Sequence, residues 1–285
     1  GHTHQAYNCV LDGRRATSAG SFTRLISDID VVIDRYTGEV VDVRGANRIV
    51  HRDIAKDAAQ TALVNEYRTL SAPLANRVIG KITADITRAT TPAGESALGD
   101  VIADSQLHVT KPAGFGEAVV AFMNPGGIRT DLVFNQISGG EAPGEVTYAE
   151  MFNVQPFGNS LVTMTLTGAQ IDTLLEQQFD NPAVGQSRIL QVSDGFTYQW
   201  SASAATGSKV DPSSIKLNGV TIDPTGTYRV TVNSFLADGG DNFFVLRDGT
   251  NRLGGDVDLD AVEKYFSANP AGVPPGPRNR IVQIP

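Results

Sequence analysis

Apolar and polar positions alternate in the first fifty residues. Ile29, Val31 and Ile33 interleave with Asp28, Asp30 and Asp34 over part of one run, the stretch RYTGEV turns the chain, and Val41 and Val43 lie on the return. A period of two around a Gly-containing turn predicts a hairpin. A hairpin alone is too small to be stable in water, so this segment is expected to lean on another body. From Asp53, read as an N-cap, the period changes: Leu63, Tyr67, Leu70 and Leu74 recur at helical spacing. Pro73 lacks a backbone N–H and is expected to end or kink that helix. Residues 1–52 therefore read as a small β segment and 53–77 as a helical connector.

From residue 78 onward strands and helices are mixed. GESALGDVIADSQL sets Leu98, Ile102 and Leu107 near one helical face, and AVVAFMN reads as a short buried strand. Thr147 with Glu150, and Thr167 with Gln170, fit the capping-box pattern that opens a helix. Between them Val162, Met164 and Leu166 alternate with Leu161, Thr163 and Thr165, a strand. IKLNGVTID is a hairpin around Asn218-Gly219, TYRVTV is a further strand, and Leu259, Val262, Tyr265 and Phe266 form a helical stripe. NPAGVPPGP reads as a turn-rich tail. Without regular βαβ alternation, the expected class is α+β, a mixed sheet with helices, over 78–285.

Composition narrows the function classes. The 285 residues are 41% hydrophobic and 19% charged, as in ordinary globular proteins. No run approaches the roughly 20 consecutive apolar residues that a membrane-spanning helix needs. A formal net charge of −8 argues against a general nucleic-acid coat, which requires a basic face. It leaves room for an anionic small molecule in a pocket lined by a few arginines. Cys9 is the only cysteine, so no intrachain disulfide or cysteine metal cage can form.

Three stretches could carry chemistry. In NPGGIRTDL, Pro125, Gly126 and Gly127 should force a tight turn after a strand and bare backbone N–H groups. Arg129 beside them would complete an anion-binding corner. The same residues also suit an ordinary Gly-rich turn with a surface arginine. QPFGNSLV and SFLADGGDNF place Phe157 and Phe235 in loops, where they either plug a core or wait for a flat partner. Two such rings could sandwich a nucleobase, with Asp241 accepting hydrogen bonds from ribose hydroxyls. The opening GHTH sets His2 and His4 two residues apart, a pattern that suits metal ligands, exposed histidines or a cloning scar. Neither Asp-x-His, Gly-Asn-His nor Gly-Asp-x-x-Asn occurs elsewhere, so a dimetal centre cannot be assembled from this chain by itself.

Taken in order, Gly1-His2-Thr3-His4, GESALGDVIAD, NPGGIR, PFGN and FLADGGDNF resemble the 5'-nucleotidase family. The resemblance implies two domains. A metallophosphoesterase domain holding two divalent ions such as Zn, Mn or Mg would end in the Gly-His-x-His motif. A C-terminal domain would grip the nucleoside. On that reading residues 1–52 are the end of the catalytic domain, preceded by the rest of it, and 78–285 are the substrate-binding domain. The fragment itself would not hydrolyse nucleotides. The resemblance further implies that Phe157 and Phe235 flank the base and that Asp241 takes the ribose. Asn124, Gly126, Gly127 and Arg129 would line the nucleoside and phosphate, and Asn159 would contact the base. His2 and His4 would be terminal metal ligands, and the protein would be exported. Two positions depart from the pattern. Arg88, the candidate for the family's substrate-binding arginine, lies seven residues before Glu95, with Pro92 and Gly94 at the nearer positions, so it reaches the phosphate side through a longer loop or that contact is missing; Asp100 stands where asparagine is common. The family also includes cyclic-nucleotide phosphodiesterases and nucleotide-sugar or NAD hydrolases. A surface binding module that lost its chemistry would share the same pocket residues.

Overall fold

Asp12-Gly13 has φ values of 49° and 75°, the positive pair that a tight two-residue hairpin turn requires. It joins β1 (Ala6–Leu11) to β2 (Arg14–Ala19). The alternating run forms β3 (Leu25–Ile33), paired with β4 (Val40–Ile49) so that Ile29 faces Gly45 and Val31 faces Val43. The two hairpins are tied by Asn47, whose side-chain amide donates to the carbonyls of Tyr7 and Ser18 at 3.1 and 3.0 Å. Gly45 lets them approach, since a Cβ there would lie 2.7 Å from Ile29 Cδ1 and 2.9 Å from Arg15 Cδ. This computed structural model describes residues 4–285, and His2 lies outside the described residues. The chain divides into a unit ending at Tyr67 and a second from Arg68 to Pro285.

The helix expected from Asp53 onward, α1, spans Ala58–Ala75. Its cap is Asp57, not Asp53: Asp57 Oδ1 accepts the Gln60 N–H at 2.8 Å, and its carbonyl accepts the Thr61 hydroxyl at 2.6 Å. The cap falls where a carboxylate directly precedes an Ala-Ala-Gln turn of strong helix formers. Pro73 lies in the last turn, and the helix runs only two residues beyond it.

The second unit is α+β, as its pattern predicts. Its elements are β5 (Val78–Lys81), α2 (Ala97–Thr110), β6 (Val120–Met123), β7 (Glu145–Thr147), α3 (Tyr148–Val154), β8 (Ser160–Thr167) and α4 (Gly168–Glu176). Next come β9 (Gln191–Val192), β10 (Phe196–Ser201), β11 (Lys216–Leu217), β12 (Val220–Thr221) and β13 (Thr227–Asn233). The chain closes with α5 (Ser234–Ala237), β14 (Thr250–Val257), α6 (Asp258–Ala268) and β15 (Ile281–Ile284). Five strands form a mixed sheet in the order β14-β8-β13-β6-β9, with β13 and β6 parallel. A second sheet runs β12-β11-β10-β15, and β5 pairs with β7.

Strand alternation divides the core in two. Val120 and Phe122 of β6, Met164 and Leu166 of β8, and Val230 and Val232 of β13 face one way. They pack with Ile171 and Leu174 of α4 and with Phe196 and Tyr198 of β10. On the opposite face a chain of buried hydroxyls crosses from sheet to helix, Thr163 to Thr231 and Thr231 to Thr110 of α2, each at 2.8 Å. Leu98 and Ile102 of α2, Met151 of α3, and Val262 and Phe266 of α6 form the second core.

The last strand is held by charge. Glu95, fully buried, accepts the N–H groups of Arg280 and Ile281 at 3.0 and 3.1 Å. Arg280 forms a two-pronged pair with Asp104 at 2.7 and 2.8 Å. Asp100, also fully buried, accepts the Arg278 N–H at 3.0 Å. Burial pushes its carboxyl up to about 7, against the opposing pull of Arg280.

Candidate functional site

Where β6 ends, Asn124 leaves the sheet with only 3% of its surface exposed. Its amide donates to Asp241 Oδ2 at 2.9 Å, and its Oδ1 accepts from the Asn233 amide at 2.9 Å. Pro125–Gly127 then form one turn of 3-10 helix. The Gly127 N–H is not bare, as the sequence suggests: it closes that turn on the Asn124 carbonyl at 3.0 Å. A Cβ at Gly127 would stand 2.4 Å from Met123 Cε and 3.1 Å from Asn124 Oδ1, so the methionine tip would have to shift to admit one. Gly126 is open toward Asp241, with a Cβ position 3.7 Å from Oδ2.

Arg129 is exposed and has two side-chain contacts. Its Nη1 donates to the Gly126 carbonyl at 3.0 Å, and its guanidinium lies 5.6 Å from the centre of the Phe157 ring. Its backbone N–H donates to the Val154 carbonyl at 2.8 Å, which binds the loop to the end of α3. The arginine, the glycine turn and one aromatic ring are thus one assembly.

Phe157 and Phe235 are 56% and 46% exposed, so neither ring is a core plug. Phe235 sits on α5, capped by Asn233, whose Oδ1 accepts the Leu236 N–H at 2.9 Å. Its ring lies over Gly240, where a Cβ would come within 2.6 Å of ring carbon Cε1. Asn159 bridges the two loops. Its Oδ1 is 3.4 Å from the hydroxyl of Ser234, next to Phe235, and its amide donates to Asp258 at 3.3 Å. Burial pushes the Asp258 carboxyl up from the usual carboxylate range.

Asp241 takes a left-handed conformation, φ 54°, at the tip of ADGGDN. Sequence reading missed the residues that hold it. Arg188 pairs with its Oδ1, and the Asn181 amide donates to its backbone carbonyl at 2.7 Å. Both arrive from the segment between α4 and β9, whose local pattern carries no sign of a site. Arg88 is exposed and engaged elsewhere: its N–H and Nε reach Asp131 Oδ1 at 2.8 and 3.2 Å. That places it beside the Arg129 loop with its charge already paired. His4 meets the edge of Phe22, ring centres 5.7 Å apart. Among the described residues no three His, Cys, Asp or Glu side chains converge to hold a metal.

Exposed aromatic faces can take a flat ring, a fixed carboxylate can accept hydroxyls, and a guanidinium beside a glycine turn can take an anion. Among the described residues no helix is long and apolar enough to cross a membrane. The profile of the family described as 5'-nucleotidase, C-terminal domain, matches residues 78–248, which include Asn124, Arg129, Phe157, Asn159, Arg188, Phe235 and Asp241. Endonuclease YhcR of Bacillus subtilis is 30% identical over 273 residues, 94% of this chain and 20% of that protein. Cell wall protein Lmo0130 of Listeria monocytogenes is 29% identical over 275 residues, 93% of this chain and 34% of that protein. A 5'-nucleotidase precursor from Thermus thermophilus, solved as a crystal structure, matches at a TM-score of 0.71 and 28% identity. The match covers 100% of this chain and 58% of that one. The chain spans less than two thirds of the length of each of these proteins. It belongs to the 5'-nucleotidase C-terminal domain family.

Proposed function

We propose that residues 78–285 recognise the nucleoside part of a nucleotide for a 5'-nucleotidase-type phosphohydrolase. The observation that carries this reading is the pair of half-exposed rings, Phe157 and Phe235, linked through Asn159 and Ser234. Beside them Asn124 and Asp241 are already joined. The base would stack between the rings, the ribose hydroxyls would donate to Asp241, and Arg129 would meet the phosphate. Arg88, paired with Asp131, would contribute less to phosphate binding than Arg129.

In the whole protein, residues 1–52 would close a catalytic domain, residues 53–77 would connect it, and nucleotide phosphate esters would be hydrolysed. Two divalent ions would supply Lewis acidity at the phosphoryl group. His4, with His2, offers at most part of their ligand set, so the remaining ligands would come from the preceding catalytic domain. This chain's own contribution is positioning, which can lower a barrier by several kcal/mol, about 7 in favourable cases. The name of the Listeria relative, a cell wall protein, supports export. The name of YhcR describes an endonuclease. The net charge of −8 here favours a small nucleotide over a polynucleotide.

Calorimetric titration with adenosine and AMP tests the reading. The chain should bind both saturably without added metal. Phe235→Ala should weaken binding about 5- to 150-fold, the range of one stacking contact. Because the ring is half exposed, that variant should lose far less than the roughly 3–5 kcal/mol of a buried Phe→Ala change. Unchanged affinity in Phe235→Ala would overturn the reading.

A further inference from the structure

Asp241 does not stand alone at the site. Arg188 holds its Oδ1, Asn124 holds its Oδ2 at 2.9 Å, and Asn181 holds its backbone carbonyl. An ionised carboxylate has about four acceptor positions, two on each oxygen. Arg188 and Asn124 take one on each. One remains on each oxygen, two in all, the number that two neighbouring hydroxyl donors require. The Asp241 side chain keeps 16% of its surface exposed, so the remaining positions are accessible, while Arg188 keeps 32%.

Arg188 is unusually well placed to set the direction of those positions. Its own N–H donates to the Gln178 carbonyl at 2.8 Å, which fixes the start of its side chain against the end of α4. A guanidinium is planar and presents its donors in a rigid fork, so it fixes carboxylate orientation more tightly than a flexible amine does. Asn124 fixes the other oxygen and is itself fixed by Asn233. Asp241 is therefore held at both carboxylate oxygens, from two separate segments of the chain.

We infer that Arg188 is a positioning residue that makes this site selective for an intact vicinal diol, the 2'- and 3'-hydroxyls of a ribonucleoside. It acts through Asp241, by turning one free acceptor of each carboxylate oxygen toward the sugar. A sugar lacking one hydroxyl leaves an oriented acceptor without a donor. A site built to bond a hydroxyl discriminates strongly against its absence. A phosphate on either hydroxyl removes a donor and brings negative charge against the carboxylate. The inference rests on the nucleoside reading above.

The test compares adenosine, 2'-deoxyadenosine and adenosine 3'-monophosphate by calorimetry on the full chain, with Arg188→Ala and Arg188→Lys. The wild type should prefer adenosine to 2'-deoxyadenosine by about tenfold or more, the worth of a hydrogen bond to a charged group. Arg188→Ala should shrink that preference to about threefold or less, through weaker adenosine binding. Arg188→Lys, which keeps the charge and loses the fork, should fall between. If Arg188→Ala weakens both nucleosides equally, or leaves the ratio intact, the positioning role is overturned. If Arg188→Ala does not fold, the ratio in Arg188→Lys decides alone. A wild type that binds no adenosine would overturn the nucleoside reading itself. That result is distinct from binding without discrimination, which overturns only the role of Arg188.

Discussion

At the scale of single residues, Gly240 seats the Phe235 ring. A Cβ at 240 would stand 2.5 Å from the Phe235 carbonyl oxygen and 2.6 Å from its ring. Real structures do not tolerate such contacts, so Gly240→Ala should push the ring off its seat. Adenosine affinity should then fall by about as much as in Phe235→Ala, within roughly 5- to 150-fold, and the melting temperature should drop as α5 shifts. Gly254→Ala is the control, because a Cβ there meets nothing within 4 Å. Melting curves and titrations on the two variants would show whether the loss follows the displaced ring. The exposed loop settings of Phe157 and Arg129 were legible from residue type and context, whereas Phe235, expected in a loop, sits on the short helix α5. The partners of the site residues were not legible. Asn124 and Asp241 are 117 positions apart and Arg188 and Asp241 are 53 apart. A local pattern says which residues want partners and is silent on which distant residue supplies them.

At the scale of elements, signals that close within one turn of chain were readable. Thr147 Oγ1 accepts the Glu150 N–H at 3.3 Å, while Glu150 Oε2 accepts the Thr147 N–H at 2.9 Å. Thr167 and Gln170 repeat the arrangement. Asn218 and Gly219 take φ values of 51° and 80°, as their hairpin demands. The start of α1 was less readable, because Asp53 and Asp57 are chemically equal and only the following residues choose between them. The β15 strand was hidden by its length: IVQI shows no period, and its parallel partner β10 is about eighty residues away in sequence. Thr147→Ala should cost about 1 kcal/mol by loss of the cap, visible as a lower urea midpoint. Its effect on the site should be small but real, since α3 anchors the Arg129 loop through Val154.

At the scale of the whole second unit, a buried acidic cluster ties α2 to the last strand. The folded state keeps a proton on Asp100 up to about pH 7, which the unfolded chain gives up near 3.8. Where the folded state binds the extra proton, stability falls as pH rises. The Asp100 contribution is therefore fully present below about pH 4 and lost as pH climbs through about 7. Asp100→Asn keeps an acceptor for the Arg278 N–H and offers Glu95 a donor instead of a second negative charge. The variant should melt higher than the wild type at pH 8, and the gap should close toward pH 4. A gap that does not change with pH would mean that Asp100 titrates as an ordinary carboxyl.

The bond from Glu95 to the Arg280 N–H also bears on how the protein is made. Its two ends lie 185 positions apart. At about 5–20 residues per second, a ribosome delivers the second end roughly ten to forty seconds after the first. Until then the carboxylates at the head of α2 have water for company, and the sheet that ends in β15 lacks its edge. The Glu95 contact therefore closes long after α2 has been made, and the Arg280 segment acts as its clasp.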